Sequence, residues 1–351
     1  MHPDWVLKHK AKGTNISRIR GKYYLYEVGS VWNREKGRAQ KITKKYLGRI
    51  TEEGLVAPKE NCPKIQAPVS VKEFGAAAVV AELGKDILQK LEEAFPEEAR
   101  RIFALAAMRV VEPNPFKRAE RQYHGSYLSE MFGELKLSGK DISLFLREFG
   151  GRREEMARFM RGFIGENAHL LFDGTSIVSQ PEKMDINRVG YNAHREYKPQ
   201  VNLLYAFACG SRMPAYYRKE DFLERQFKFG AIILRSNLQK TPEEIYAIYK
   251  ERREIEQTFD FLKNLLEQDK THMQNERSLE AWAFINHIAL MLHYKLYNLL
   301  REKKLLAKFS VADFISHLKY IFKVKAGQQW LTSEISAKTA GFLGALGMHI
   351  T

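Results

Sequence analysis

The chain has 351 residues, long enough for two or three domains, each with its own core. Lysine and arginine number 57 against 42 aspartates and glutamates, and this formal net charge of +15 favours a polyanionic partner, usually nucleic acid. The best apolar stretch, AWAFINHIALML, is shorter than the roughly 18 residues of a membrane span, which excludes a membrane helix there.

The first residues and the cysteines bear on the compartment. Met1-His2-Pro3-Asp4 has neither the basic nor the apolar part of a signal peptide. Cys62 and Cys209 lie far apart in the sequence and offer no zinc spacing. We therefore expect a cytoplasmic protein without a membrane partner.

Residues 1–56 predict a small, basic β module. KYYLYEV (22–28) and KITKKYLGRI (41–50) alternate as strands do, and the polar NREKGR between them predicts a hairpin turn. Residues 57–70 contain three prolines and predict a linker.

Residues 71–166 predict a helical DNA-binding domain of five to seven short helices. Its amphipathic units are separated by Gly, Pro or Asn. An ordinary solvated surface explains each basic residue of this domain about as well as phosphate binding does. The candidates for phosphate binding are Lys117, Arg118, Arg121, Arg152, Arg153, Arg158 and Arg161.

The periodicity changes to that of strands in the predicted core, residues 167–270. Strands are expected at HLLFDGTSIVS (169–179), KPQVNLLYAFACG (198–210), MPAYYR (213–218) and KFGAIILRSNL (228–238), with a long hairpin loop at 180–197. Thr241-Pro242-Glu243-Glu244 then predicts a capping box that starts a helix running to about Leu266. Residues 271–351 predict a C-terminal helical region.

That helix carries Tyr249, Arg252, Glu256 and Lys263 within about 60° of one face, at about 100° per residue. A hydroxyl, two cations and a carboxylate are thus aligned beside an apolar stripe. A salt-bridged surface helix is the simpler interpretation of such a stripe.

Asp173 follows three apolar residues on the first strand of the core, where an unpaired carboxylate is costly to bury. It is either hydrogen-bonded structurally or a metal ligand. A strand-borne aspartate with a helix-borne glutamate suits phosphoryl transfer with two hard divalent ions, Mg²⁺ or Mn²⁺.

Nearly the whole chain resembles the bacterial insertion-sequence DDE transposases with the Tyr-Arg-Glu-Lys signature. LLFDGTS resembles the motif of the first catalytic aspartate, and residues 229–263 resemble the block of the catalytic glutamate. The resemblance implies an α+β or α/β fold with a ribonuclease-H-like core, a mixed five-stranded sheet with helices on both faces. It also implies that Asp173 and Glu256 are catalytic metal ligands, and that Tyr249, Arg252 and Lys263 contact the DNA.

The sequence departs from the family at its second catalytic aspartate. Between Asp173 and Glu256 only Asp185 and Asp221 occur, and neither follows a predicted buried strand. The resemblance places the missing aspartate on a fourth strand beside the first. We therefore expect an internal deletion that removed this strand, unless Asp221 or Asp185 substitutes.

The predicted function is Mg²⁺-dependent cleavage and strand transfer at insertion-sequence ends, with an impaired catalytic centre. The predicted partners are double-stranded DNA, both transposon ends and target, and a second copy in a homodimer. The alternative function is a catalytically dead remnant that still recognises transposon ends. A gene product that no longer folds stably is a third possibility.

Overall fold

The computed structural model describes residues 2–33, 37–58, 69–166, 168–179, 184, 188–191, 197–220, 241, 243–245, 262, 270–271 and 273–348. The chain divides into two compact units, Met1–Ala67 and Pro68–Thr351.

The N-terminal unit is a four-stranded antiparallel meander preceded by one helical turn. Its elements are α1 (Asp4–Leu7), β1 (Thr14–Ile19), β2 (Lys22–Asn33), β3 (Arg38–Thr51) and β4 (Gly54–Val56), with the strands in the order β1-β2-β3-β4. The predicted hairpin is confirmed, and both of its strands are longer than the alternation indicated. A small apolar core holds the base of the sheet together: Val6, Ile16, Tyr23, Leu25 and Ile50.

The second unit begins with a short strand, β5 (Ser70–Glu73), and a series of short helices. The helices are α2 (Gly75–Leu83), α3 (Lys85–Ala94), α4 (Ala99–Val111), a 3₁₀ turn (Phe116–Arg118), α5 (Ala119–Gly125), α6 (Leu128–Phe132), α7 (Gly139–Phe149) and α8 (Arg153–Arg161). The seven α-helices among them agree with the five to seven short helices that the sequence predicts. In α7, Ser138 caps the first turn by accepting the Asp141 N–H, and the buried residues recur at helical spacing.

A mixed sheet follows the helices. Its strands are β6 (Leu170–Ser179), β7 (Arg188–Tyr191), β8 (Tyr197–Ala208), β9 (Met213–Glu220) and β10 (Lys270–Thr271). β8 pairs antiparallel with β6 along one edge, while β7 and β9 pair antiparallel with successive parts of its other edge. β10 pairs parallel with the end of β6. The fold is therefore mixed α+β, which is compatible with a DDE transposase.

The sequence predicted that residues 271–351 are helical, and this prediction is wrong in part. After α9 (Glu276–Glu302) and α10 (Val311–Leu318), β11 (Phe322–Ala326) and β12 (Gln329–Thr332) form a hairpin, and α11 (Ala337–Leu346) follows. β11 also pairs with β5, so residue 70, the last of the predicted linker, belongs to a sheet. The predicted hairpin loop at 180–197 likewise contains β7.

α9 lies at the centre of this unit and packs against α4, α7 and β9. Residues 278–294 of α9 are all buried, which explains why the sequence is apolar almost all round the helix there. No helix in the described part of the chain is long and apolar enough to cross a membrane.

Candidate functional site

Asp173 lies in the middle of β6, directly opposite Tyr205 of β8. Tyr205 is in turn opposite Tyr217 of β9, and residues paired in this way share one face of a sheet. Both tyrosines are buried, and their rings contact the ring of His287 on α9. Asp173 therefore projects from the face of the sheet that α9 covers.

The Asp173 side chain is half-buried, and its Oδ1 accepts the Gly174 N–H at 2.9 Å. Its neighbour Phe172 points to the opposite face and is 61% exposed. The strand around Asp173 is therefore buried on one face only. This placement gives a hard oxygen donor partial access to solvent, as a ligand for Mg²⁺ or Mn²⁺ requires.

The edge of β6 away from β8 is the position that the resemblance assigns to a fourth strand. There the described residues paired with β6 are Lys270 and Thr271, which lie opposite Val178 and Ser179. Among the described residues none pairs with Asp173 on this edge. The predicted strand at 228–238 lies outside the described residues, as do Asp185 and Asp221. The internal deletion stays a prediction.

The start of the predicted signature helix is described. Thr241 Oγ1 accepts the Glu244 N–H at 3.3 Å, and Glu244 Oε2 accepts the Thr241 N–H at 2.9 Å. The capping box is thus confirmed, and residues 243–245 are helical. Tyr249, Arg252, Glu256 and Lys263 lie outside the described residues, so their roles stay predictions.

α9 carries a buried carboxylate, Glu280, which was not among the candidates drawn from the sequence. The Glu280 side chain is only 3% exposed. Its Oε1 accepts from Arg153 Nη1 at 3.0 Å and from the Tyr217 hydroxyl at 2.8 Å, and its Oε2 lies 3.1 Å from Lys219 Nζ. These four residues, the Glu280 cluster, join α8, β9 and α9. Two cations and a hydroxyl satisfy this carboxylate, so the cluster is a structural junction.

Two of the candidate phosphate-binding arginines therefore have other partners. Arg153 belongs to the Glu280 cluster, and Arg152 pairs with Glu98 and Glu155. A sequence signal for the cluster did exist. Glu280 is an acidic residue inside the apolar run SLEAWAF, on a helix that is buried on all sides.

His287 lies beside the cluster in the same apolar layer. Both of its ring nitrogens are buried, without a hydrogen bond from the described residues. Burial lowers the pKa of His287 to about 3. It also lowers the pKa of His293, on the same helix, to about 3. Both imidazoles are therefore neutral at pH 7. They are buried residues of the core.

A cleft of about 940 Å³ opens between the 3₁₀ turn, α7 and the start of α9. Its floor is apolar and includes Phe116, Ile142 and Trp282. Among the described residues that line it, none is a carboxylate and four are cations: Arg109, Lys117, Lys140 and Arg147. We call this site the cation cleft.

Three of these cations are available to a ligand. Lys117, Lys140 and Arg147 are exposed and form no ion pair within the part of the chain that the structure describes. Arg109 is 6% exposed and donates to the Asn114 carbonyl at 2.9 Å. Of these three cations, only Lys117 was a phosphate-binding candidate from the sequence. Lys140 and Arg147 are seven residues apart on one helix, a spacing that places both on one face.

Comparison with known proteins bears on the core. Residues 210–292 match a family model described as the transposase DDE domain. The match supports a DDE transposase. It covers less than half of the chain, includes Glu256 and the Glu280 cluster residues Tyr217, Lys219 and Glu280, and begins after Asp173. Searches of curated proteins and of solved structures found no match.

Proposed function

We propose that the chain is a transposase of the Tyr-Arg-Glu-Lys group that acts on double-stranded DNA at insertion-sequence ends. The observation that carries the proposal is the match of residues 210–292 to the transposase DDE domain, since it spans the whole predicted signature. The half-buried Asp173 in the centre of the adjoining sheet supports it.

The catalytic core of this proposal is ribonuclease-H-like, with Asp173 and Glu256 holding Mg²⁺ or Mn²⁺. Such an ion, when bound, stabilises the charge that develops on the phosphodiester oxygens. Asp173 would hold its carboxylate in a fixed position on β6 as a ligand for the ion. Tyr249, Arg252 and Lys263 would hold the DNA beside it through a hydroxyl, a bidentate cation and a point charge.

The second candidate function is a DNA-binding remnant that no longer cuts. It is favoured by the sequence between Asp173 and Glu256, where the only aspartates are Asp185 and Asp221. Loss of one of three carboxylates removes the geometry of a two-metal site. This copy is therefore proposed to be impaired, unless one of those aspartates substitutes.

The cation cleft supports DNA as the partner. Its exposed cations face no carboxylate among the described lining residues, and the chain as a whole carries a formal net charge of +15. We further propose that two copies of the chain form a homodimer that holds the two DNA ends. The protein would act in the bacterial cytoplasm, on the DNA of the nucleoid.

A plasmid excision assay tests the function. The plasmid carries a marker between the two DNA segments that flank the gene, and the protein is expressed from a separate promoter. Excision that requires Asp173, and is lost in Asp173→Asn, would establish an active transposase. A matched control is Asp141→Asn, which changes an acid of the helical part far from β6 in sequence.

Purified protein separates the second function from the first. Retained binding to the flanking duplexes, without nicking in Mg²⁺ or Mn²⁺, would establish the remnant. Absence of both binding and nicking by a cooperatively folded protein would overturn both proposals.

A further inference from the structure

The hairpin of the N-terminal unit extends beyond the core that supports it. β1 pairs with β2 only up to Glu27, and β4 pairs only with residues 49–51 of β3. Apart from the Val28 N–H, which donates to the Gly13 carbonyl at 2.8 Å, residues 28–33 and 38–43 therefore pair only with each other among the described residues, as a ribbon of two strands. Its register runs from Val28 opposite Thr43 to Asn33 opposite Arg38.

Both faces of this ribbon are open. Every residue from 38 to 45 is exposed, and so are Ser30, Val31 and Trp32 on the facing strand. Trp32 is 63% exposed and Val31 is 53% exposed. Exposed apolar residues on an unsupported two-stranded ribbon are costly, and they are typical of a surface that binds a partner.

The charge of the ribbon indicates the chemistry of that partner. It carries Arg38 and Lys41, and none of its described residues is acidic. Lys44 and Lys45 follow at its base, where Lys45 lies opposite Glu27. Lys41 Nζ donates to Asn15 Oδ1 at 2.8 Å, while the structure shows no ion pair for the four cations in its described part. The partner is therefore polyanionic.

The two faces differ in what they present. Paired residues share a face, so Val31 with Gln40 and Asn33 with Arg38 lie on one side, together with Ile42. Asn33 Nδ2 donates to Gln40 Oε1 at 3.0 Å across the strands. Arginine, asparagine and glutamine are the side chains that make bidentate hydrogen bonds to purine edges, and apolar groups contact the thymine methyl. We call this side the reading face.

The dimensions of the ribbon fit one groove of one polymer. Six paired positions at about 3.3 Å each extend about 20 Å. Two strands with their side chains fit the major groove of B-DNA, about 12 Å wide, which admits a two-stranded ribbon. The major groove of double-stranded RNA is too narrow and deep to be read in this way.

We propose that the ribbon enters the major groove of double-stranded DNA with its reading face on the base edges, and that Arg38 and Gln40 read sequence there. Lys41, on the opposite face, and Lys44 and Lys45, near the base of the ribbon, bind phosphates. The inference rests on DNA being the partner, as proposed above, but it does not require that the protein can cut DNA.

The test uses the full chain and duplexes tiled across the DNA that flanks its gene. Gel-shift titration finds the tightest duplex, and partial methylation of guanine N7 then maps the major-groove positions at which modification blocks binding. Arg38→Ala and Gln40→Ala are expected to weaken binding to that duplex by about 5- to 150-fold each. Arg38→Ala should also abolish interference at particular guanines.

Lys41→Gln is the matched control on the opposite face of the ribbon. It should weaken binding to all duplexes alike, lower the salt slope by about one, and leave the interference pattern unchanged. The ratio of specific to non-specific binding is measured on each preparation, so a poorly folded variant cannot imitate a loss of specificity.

The outcomes separate this proposal from the proposed function. If Arg38→Ala and Gln40→Ala keep the specificity and the interference pattern, the ribbon does not read the DNA, although the proposed function stands. Effective competition by double-stranded RNA of the same sequence would also overturn the ribbon proposal. If the chain binds no duplex DNA, both proposals fall together.

Discussion

The Glu280 cluster and the cation cleft place the same residue types in opposite settings within one compact unit. Arg153 and Lys219 are 28% and 22% exposed, and both contact one buried carboxylate. Lys117, Lys140 and Arg147 are exposed around a cleft that, as far as the structure describes its lining, contains no carboxylate. The first set is held by partners that belong to the fold, whereas the second faces solvent.

The difference shows that a count of basic residues does not define a nucleic-acid surface. Arg153 and Lys140 look alike in the sequence, since each lies in an amphipathic helix of residues 71–166. Only burial and the position of the counter-charge distinguish them. Removing the counter-charge should therefore damage the first set, and removing the cations should leave the fold around the second set intact.

The largest expected effect is that of Glu280→Gln. The variant keeps the volume but leaves Arg153 and Lys219 partly buried without their counter-charge. We expect the free energy of unfolding to fall by about 3 kcal/mol, the low end for a broken buried pair because both cations keep some contact with solvent. Urea unfolding measures the change. The exposed Glu154→Gln on α8 should shift it by less than about 0.5 kcal/mol, and equal effects of the two variants would contradict the comparison.

Acid should destabilise the buried region next. The pKa of His287 and His293 is about 3 in the folded protein and about 6.5 in the unfolded chain, so the unfolded state binds more protons between these values. Stability is therefore lost as the pH falls below about 6.5. At pH 5 each histidine should cost about 2 kcal/mol relative to neutral pH. In His287→Leu, the free energy of unfolding should fall by about 2 kcal/mol less between neutral pH and pH 5. If its pH dependence is unchanged, the buried neutral His287 is not a cause of the acid destabilisation.

Local sequence predicted what local interactions determine. The capping box at Thr241, the strand around Asp173 and the helices of residues 75–161 follow from turn residues and periodicity. The Glu280 cluster does not, because Tyr217 and Arg153 lie 63 and 127 residues from Glu280 in the chain. Short strands such as β7 and β10 were also missed, since two to four residues carry too little alternation to predict a strand. Long-range pairing places Asp173 opposite Tyr205, and no motif encodes that contact.

A matched pair of lysine substitutions compares the Glu280 cluster with the cation cleft, with smaller expected losses of stability. Lys219→Met removes one of the two cations on Glu280 and should cost about 1–2 kcal/mol, as expected for a hydrogen bond to a charged group. Lys140→Met makes the same change in the cation cleft and should cost less than about 0.5 kcal/mol. Thermal unfolding of the two variants in parallel measures both. A larger loss for Lys140→Met would mean that the cleft cation has a structural partner.

The smallest effect on stability is expected when Lys117, Lys140 and Arg147 are all replaced by glutamine. The fold should tolerate the change because these side chains are exposed and form no ion pair in the described part of the structure. Binding to duplex DNA should nevertheless weaken, and the slope of log affinity against log salt should fall by about 2–3, since each phosphate contact releases about 0.9 counterions. Titration at several salt concentrations measures that slope.

Because these residues lie in the second unit, the major-groove interference pattern expected from the ribbon should stay the same. An unchanged slope would mean that the uncompensated cations face solvent, and that the N-terminal unit binds the DNA without the cleft.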